Sequence, residues 1–407
     1  MDIKGFLNQY KDYDIRVNHD ARYVDQKCTP DIVCFIADCI LSSSCANKMF
    51  SINDLWEEPY FIENCRVIFG KPSPQNDLAR NEYNKVLCQP LKTLAYAHVL
   101  NVKKYGKTLV FSVNNTELLE YISIKERNAF NFLCVFFDKV IEDSGLLRIF
   151  EEYKHSINNG GKFAEAKDII YEKYHRFISA NTPSKSKTDV TRIFHKVFNL
   201  YAYRNQILGS NGKLLNWYDL MYNRINWRDI GNKTKNQTRR ESSPVATISA
   251  SFYIEYQVNK AIRMIKNIQG TTSEVCDDLS QGKATEVHHI FPKSQFPQLA
   301  SYLENLILIT SSQHRQRAHP NSNFSAINED YQCICLMAKS RTVEKYVDLD
   351  NDNIYSKQGY VHVVNEGMCT SLVSMDDSFD CIRTKIWNHY NRFDFENNSD
   401  MYVAAEK

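Results

Sequence analysis

Between Glu286 and His319 the chain reads EVHHIFPKSQFPQLASYLENLILITSSQHRQRAH, and no other stretch constrains the fold as tightly. A histidine pair, His288-His289, sits beside Val287 and Ile290-Phe291. Asn305 opens a second apolar run, Leu306 to Ile309, and Thr310-Ser311-Ser312 follows it. Short apolar runs bounded by polar residues suit buried strands. Hydroxyl side chains ahead of a new segment suit a helix N-terminus. The stretch therefore predicts strand, loop, strand and helix in one small unit, with His314 on the first turn of that helix.

Successive strand residues point to opposite faces. His288 and His289 therefore cannot do the same job, and the pair divides into one metal ligand and one base. A free pKa of roughly 6.5 suits imidazole to take a proton near neutral pH. The Asn305 amide is placed to bond the backbone near His289 and hold that ring in one orientation. His319 follows His314 by five positions, roughly 140° away on an α-helix, and directly precedes Pro320. It reads as a helix-end or phosphate-contacting residue.

The histidine pair before Ile290 and Pro292, the Asn305-Leu306 step and His314 beyond it resemble the HNH nucleases, the ββα-metal family. The flanking segments from Met221 (MYNRINWRDIGNKTKNQTRRES) and from Ala318 (AHPNSN) are similar to type II restriction endonucleases of that family. The resemblance implies His289 as general base, Asn305 as its orienting residue, and His288 and His314 as metal ligands. Phosphodiester hydrolysis needs a water deprotonated, the pentavalent phosphorus stabilised and the leaving oxygen neutralised. A histidine base serves the first need and a divalent metal the other two. The family often has Asp where this chain has His288. Magnesium is the expected ion in the cell, while manganese, nickel or zinc suits imidazole ligands better. Arg315 and Arg317, beside His314, are candidate phosphate contacts.

At 407 residues the chain exceeds what a single core usually supports, so two or three domains are expected. A hydrophobic content of 43% and a charged content of 24% are those of an ordinary globular protein. The net charge is only +2, so nucleic-acid binding must rest on local basic patches. No apolar stretch is long enough to span a bilayer and the amino terminus is no signal peptide, so a cytoplasmic location and no membrane partner are expected. The twelve cysteines form no CxxC pair. Cys34, Cys39 and Cys45 read as core thiols, and Cys333 and Cys335 diverge on a helix.

Upstream, Thr29-Pro30 starts a helix with a stripe of Ile32, Phe35, Ile36, Cys39 and Ile40. Ser51 caps a second helix carrying Leu55 and Trp56, and a third runs from about Gln75 to Cys88, interrupted by Pro90. Two β-prone runs follow, Tyr96 to Val102 and Thr108 to Val113, joined through Lys103, Lys104, Tyr105, Gly106 and Lys107. Three helices and a basic hairpin resemble a winged helix, which would place the third helix in a major groove and Lys103, Lys104 and Lys107 on phosphates. The segment from Ile124 to about Ile268 is mainly helical, with Phe130, Phe132, Leu133, Phe136 and Phe137 as its core face. Arg224 and Arg228 open the most basic local stretch, Arg224 to Arg240, and could track a DNA backbone. Beyond the histidine unit, Tyr331 to Tyr346 and Asp377 to Tyr390 read as helices, with a β-prone Tyr360 to Val364 between them.

The expected fold class is α+β and mainly helical. A winged-helix-like DNA-recognition domain spans 1–125, a helical connector 126–270, an HNH unit 271–345 and its extension 346–407. The expected function is sequence-specific cleavage of double-stranded DNA as a type II restriction enzyme. A homodimer or sequential nicking would serve double-strand cleavage, and a cognate DNA methyltransferase would be a functional partner. Separation of reader from cutter predicts cutting outside the recognised bases. The rival reading is a non-catalytic DNA-binding regulator on an HNH-like scaffold.

Overall fold

The computed structural model describes residues 1–69, 73–75, 80–222, 244–319, 328–348 and 354–390. The fold is α+β and mostly helical, with short strands. The chain divides into two compact units, Met1–Ser249 and Ala250–Lys407.

Unit 1 opens with α1 (Ile3–Leu7) and α2 (Ile15–Asn18), followed by α3 (Pro30–Leu41). Proline at the first helical position of α3 loses no hydrogen bond there, since that N–H has no intrahelical acceptor. Burial of α3 goes beyond the expected stripe: every residue from Pro30 to Ile40 is buried, so it is a central helix. Strand β1 (Phe50–Ser51) leads into α4 (Ile52–Glu57), where Ser51 and Asp54 form a capping box. Helix α5 (Pro59–Phe69) precedes α6 (Arg80–Tyr96).

The expected break at Pro90 is absent, because α6 runs through it. An interior proline costs about 3 kcal/mol. Leu87, Leu91 and Leu94 are each fully buried on the same helix, and burial of each leucine returns about 1.5–3 kcal/mol. Tyr96 consequently ends a helix and is not part of a strand. Strand β2 (Leu100–Tyr105) begins only after His98 turns the chain at a φ of 57°. Strand β3 (Thr108–Val113) pairs antiparallel with β2, Tyr105 facing Thr108 across a two-residue turn whose Gly106 has a φ of +60°. The sheet order is β1-β3-β2.

Helices α7 (Thr116–Ile124), α8 (Glu126–Asp143), α9 (Leu147–Asn158), α10 (Phe163–Asn181) and α11 (Lys187–Arg204) follow in unit 1. Phe132, Leu133, Phe136 and Phe137 are buried as expected, while Phe130 is half-buried against Tyr203 and Trp217. Residues 126–222 share a core with the amino-terminal elements. Phe136 packs on Tyr13 and Tyr23, and the Tyr23 and Tyr174 hydroxyls lie 3.0 Å apart.

Unit 2 takes up the chain within α12 (Pro244–Gln269). Strand β4 (Ala284–His289) pairs antiparallel with β5 (Leu306–Thr310), His288 opposite Ile307 and His289 opposite Leu306. A short helical turn, α13 (Ser311–Gln313), continues into a π-turn over His314–Ala318. Helices α14 (Glu329–Asp348), α15 (Lys357–Gly367) and α16 (Phe379–His389) follow. The β-prone Tyr360 to Val364 run is helical, not a strand. Ser356 caps α15, and Tyr360, Val363 and Val364 are all fully buried against the unit's core. Packing of that face outweighs the β preference of valine. Gly359 and Gly367 let α15 lie close: a Cβ at Gly367 would stand 2.4 Å from the Phe291 ring. Glu274 and Lys339 form a buried ion pair, 2.6 Å between charged atoms, and Glu274 also accepts the Leu308 amide at 2.9 Å.

Candidate metal and base site

Two hydrogen-bond systems place the histidines. Thr310 caps α13 and Gln313 completes the capping box. Gln313 is fully buried, and its amide is used on both ends. Its oxygen accepts from the Thr310 amide and the Ser273 hydroxyl, and its nitrogen donates to the Val275 carbonyl and Asp277 Oδ1, all at 2.7–2.9 Å. The turn that carries His314 is thereby fixed to the loop ahead of β4. Sequence reasoning missed Gln313, although the Thr-x-x-Gln spacing was there to be read.

The π-turn corrects the placement of His319. An α-helix would set positions five apart on different faces, but a π-turn closes with an i to i+5 bond. The His319 amide donates to the His314 carbonyl at 3.2 Å, so the two side chains return to one side. Ring centroids lie 4.8 Å apart for His314 and His319, 5.4 Å for His288 and His314, and 5.2 Å for His288 and His319. One ring nitrogen from each lies within 4.8 Å of the others. Two of these residues, His288 and His314, are the expected ligands, and His319 is a third that a regular-helix projection hid.

This donor set fits a divalent cation. A metal takes neutral imidazole, and burial favours that form here. Burial, then the neighbouring His314 and His319, push the His288 pKa down to about 3. Burial and His319 also lower that of His314. Three nitrogen donors suit zinc, nickel or cobalt, whereas magnesium demands oxygen ligands.

His289 follows His288 on β4 and meets the loop between the strands. Its Nε2 lies 3.1 Å from the Ala300 carbonyl oxygen. A carbonyl can only accept, so Nε2 carries the proton and Nδ1 holds the lone pair in the neutral ring. Burial lowers the His289 pKa, against the raising effect of the Ala300 bond, with Lys293 lowering it further. The ring is therefore an acceptor at neutral pH. Asn305 is fully buried and does act on the nearby backbone: Oδ1 accepts the Phe291 amide at 2.9 Å, and Nδ2 donates to the Phe291 and Leu299 carbonyls at 3.0 and 3.2 Å. It ties Phe291, two residues after His289, to Leu299, the neighbour of His289's partner Ala300, so it is a positioning residue. Gln332 on α14 adds a second clamp, donating to the Ile290 carbonyl at 2.7 Å while its oxygen accepts from the Tyr390 hydroxyl at 2.8 Å.

The remaining candidates are distributed more widely. Arg315 is exposed on the π-turn. Arg317 makes a two-pronged ion pair with Asp278 at 2.8 and 3.0 Å. Lys103, Lys104 and Lys107 are exposed on the β2–β3 hairpin of unit 1. Arg224 and Arg228, with most of the segment from Met221 and Pro320–Asn323 of the second flanking motif, lie outside the described residues. Cys333 and Cys335 are buried, and burial raises the Cys333 thiol to about 12, so both behave as core thiols. Among the described residues no helix is long and apolar enough to cross a membrane. No protein-family model, no curated protein and no solved structure matches this chain.

Proposed function

We propose that the chain is a metal-dependent endonuclease of HNH type acting on double-stranded DNA. The observation that carries this reading is a three-imidazole cluster built from β4 and the π-turn after β5, with the residue next to His288 a neutral histidine of defined tautomer. In this reading His288, His314 and His319 hold a divalent transition metal, which when bound supplies Lewis acidity to a phosphate. His289 Nδ1 takes the proton of the attacking water. The Ala300 carbonyl stabilises the imidazolium that results, since Nε2–H remains its donor. Asn305 keeps that carbonyl in place. Arg315 contacts phosphate, and Arg317 can exchange its surface pairing with Asp278 for one, because exposed ion pairs contribute little.

Unit 1 supports a reader of winged-helix type. Its element order, α3, β1, α4–α5, α6, β2 and β3, with sheet order β1-β3-β2, presents one long helix beside a lysine-bearing hairpin. A restriction setting, a cytoplasmic location, a cognate methyltransferase and cleavage outside the recognised bases belong to the same proposal. Supercoiled plasmid tests it. Metal-stripped protein should leave plasmid intact, and added manganese, cobalt or nickel should yield nicked and linear forms. Cutting in excess chelator would remove the metal from the account. Failure to cut with every ion would favour the non-catalytic regulator.

A further inference from the structure

Residues 290–305 join β4 to β5 and include Ala300, whose carbonyl oxygen lies 3.1 Å from His289 Nε2. Three side chains of this loop reach α15 or its N-cap. Two residues before Ala300, Gln298 Nε2 donates to Glu366 Oε1 at 3.1 Å. Two residues after it, the Tyr302 ring packs on His362 with centroids 5.1 Å apart. Four residues after it, the Glu304 carboxylate accepts the Ser356 amide at 2.9 Å, where α15 begins. Ala300 is thus bracketed on both sides by partners on one helix.

Core packing does not account for these partners. Tyr360, Val363 and Val364 are fully buried and seat α15 on the core of unit 2. Gly359, His362 and Glu366 form a second stripe beside that face, within an arc of about 60° at 3.6 residues per turn. Each member is a poor choice for the helix or for its burial. Glycine is among the weakest helix formers, but a Cβ at Gly359 would stand 2.5 Å from Glu304 Oε1. Glu366 puts a negative charge in the last turn, against the helix dipole, and Gln298 supplies its donor. Glu304 is a carboxylate only 5% exposed, and the positive end of α15 and the Ser356 amide compensate it. Gln298, His362 and Glu366 are exposed, so their contacts contribute little to stability. What the three contacts share is the loop that carries Ala300.

We propose that α15 is a brace for the general base: Glu304, His362 and Glu366 are positioning residues that hold the Ala300 carbonyl on His289 Nε2 and so keep Nδ1 aimed at the attacking water. This deepens the DNA-endonuclease reading and rests on its choice of His289 as base.

The test uses full-length protein. Combined His362→Ala and Glu366→Ala removes two of the three grips at exposed positions. With cobalt bound, kcat on plasmid should fall by roughly 10- to 100-fold, while KM, cobalt absorption and Tm stay at the wild-type values. Gln298→Glu alone sets two carboxylates against each other and should also slow cleavage. Adding Glu366→Gln reverses donor and acceptor across the same contact and should restore the rate. Proton NMR of metal-free protein reads the brace without chemistry. The His289 Nε2 proton, assigned by its absence in His289→Gln, should exchange slowly in wild type and be lost to exchange in the double alanine variant. The proposal is overturned if that variant cuts at the wild-type rate, or if the exchanged pair recovers nothing. It is also overturned if kcat, cobalt binding and Tm fall together, since that would make α15 a general support of unit 2. Wild type that cuts with no metal ion would remove the nuclease reading and leave the brace to the proton signal. Its absence from wild type or its persistence in the variant overturns the brace; its loss at unchanged Tm sustains it.

Discussion

Asn305 offers the most quantifiable perturbation. Its side chain makes three hydrogen bonds inside unit 2, to the Phe291 amide and to the Phe291 and Leu299 carbonyls, with no exposed surface. Asn305→Ala removes all three and strands three buried backbone groups. At about 1 kcal/mol per bond, with a further cost for the stranded groups, the loss is about 3–5 kcal/mol. For a unit of this size, 1 kcal/mol moves Tm by about 2–4 °C, so unit 2 should melt about 10 °C lower. Asn305→Asp separates the donors from the acceptor. It keeps the bond from the Phe291 amide but sets a carboxylate oxygen against two carbonyls. At neutral pH it should therefore be at least as destabilising as alanine, and it should recover in part as the carboxyl protonates in acid. Cleavage measured well below each variant's Tm should fall by on the order of 100-fold, because the Ala300 carbonyl no longer holds the His289 ring in line. Calorimetry and single-turnover cleavage read both effects. An Asn305→Ala protein melting within a degree of wild type, or an Asp variant equal to wild type at neutral pH, would refute the positioning argument.

Other perturbations follow from the same geometry. Lys339→Met leaves Glu274 charged and buried, so it should cost about 3–5 kcal/mol in chemical denaturation, and a loss under 1 kcal/mol would contradict the buried pair. The His288 pKa lies near 3 in the folded protein against roughly 6.5 unfolded, so the unfolded chain takes the proton first. Metal-free protein should therefore hold this stability above pH 6.5 and lose it as pH falls toward 3, and a pH-independent Tm across that window would count against burial of the ring. Replacing Lys103, Lys104 and Lys107 together by alanine should weaken binding to all duplexes alike and reduce the salt slope by up to about 0.9 for each phosphate no longer neutralised; unchanged affinity takes the hairpin off the DNA.

Much of the fold was legible because it is local. Pro30, Ser51 and Thr310 mark helix starts by residue type alone, although Thr29 makes no side-chain cap, and the β4 and β5 runs are short and apolar. The misreadings came where packing overrode local preference. Pro90 is carried through α6 by buried leucines, and Tyr360 to Val364 is held helical by the core it fills. Two of the three clustered histidines were legible, and the third was not, for a related reason. His288 and His314 could be placed from strand and helix starts. His319 could not, because the i to i+5 bond to His314 departs from the 3.6-residue repeat on which projection depends. Gln332 reaches Ile290, and Tyr390 reaches Gln332, only through tertiary contact, and nothing in their local sequence announces it.

The most direct test of the central claim is cleavage of plasmid as a function of cobalt(II) occupancy, titrated into metal-stripped wild type and into His319→Ala. The account predicts one ion per chain in wild type, followed by visible absorption, with cleavage rising in step with occupancy. It predicts weaker binding by at least 10-fold in His319→Ala, the loss a mere supporting residue would already bring. Binding unchanged by His319→Ala, or cleavage that ignores occupancy, would contradict a metal held by His288, His314 and His319.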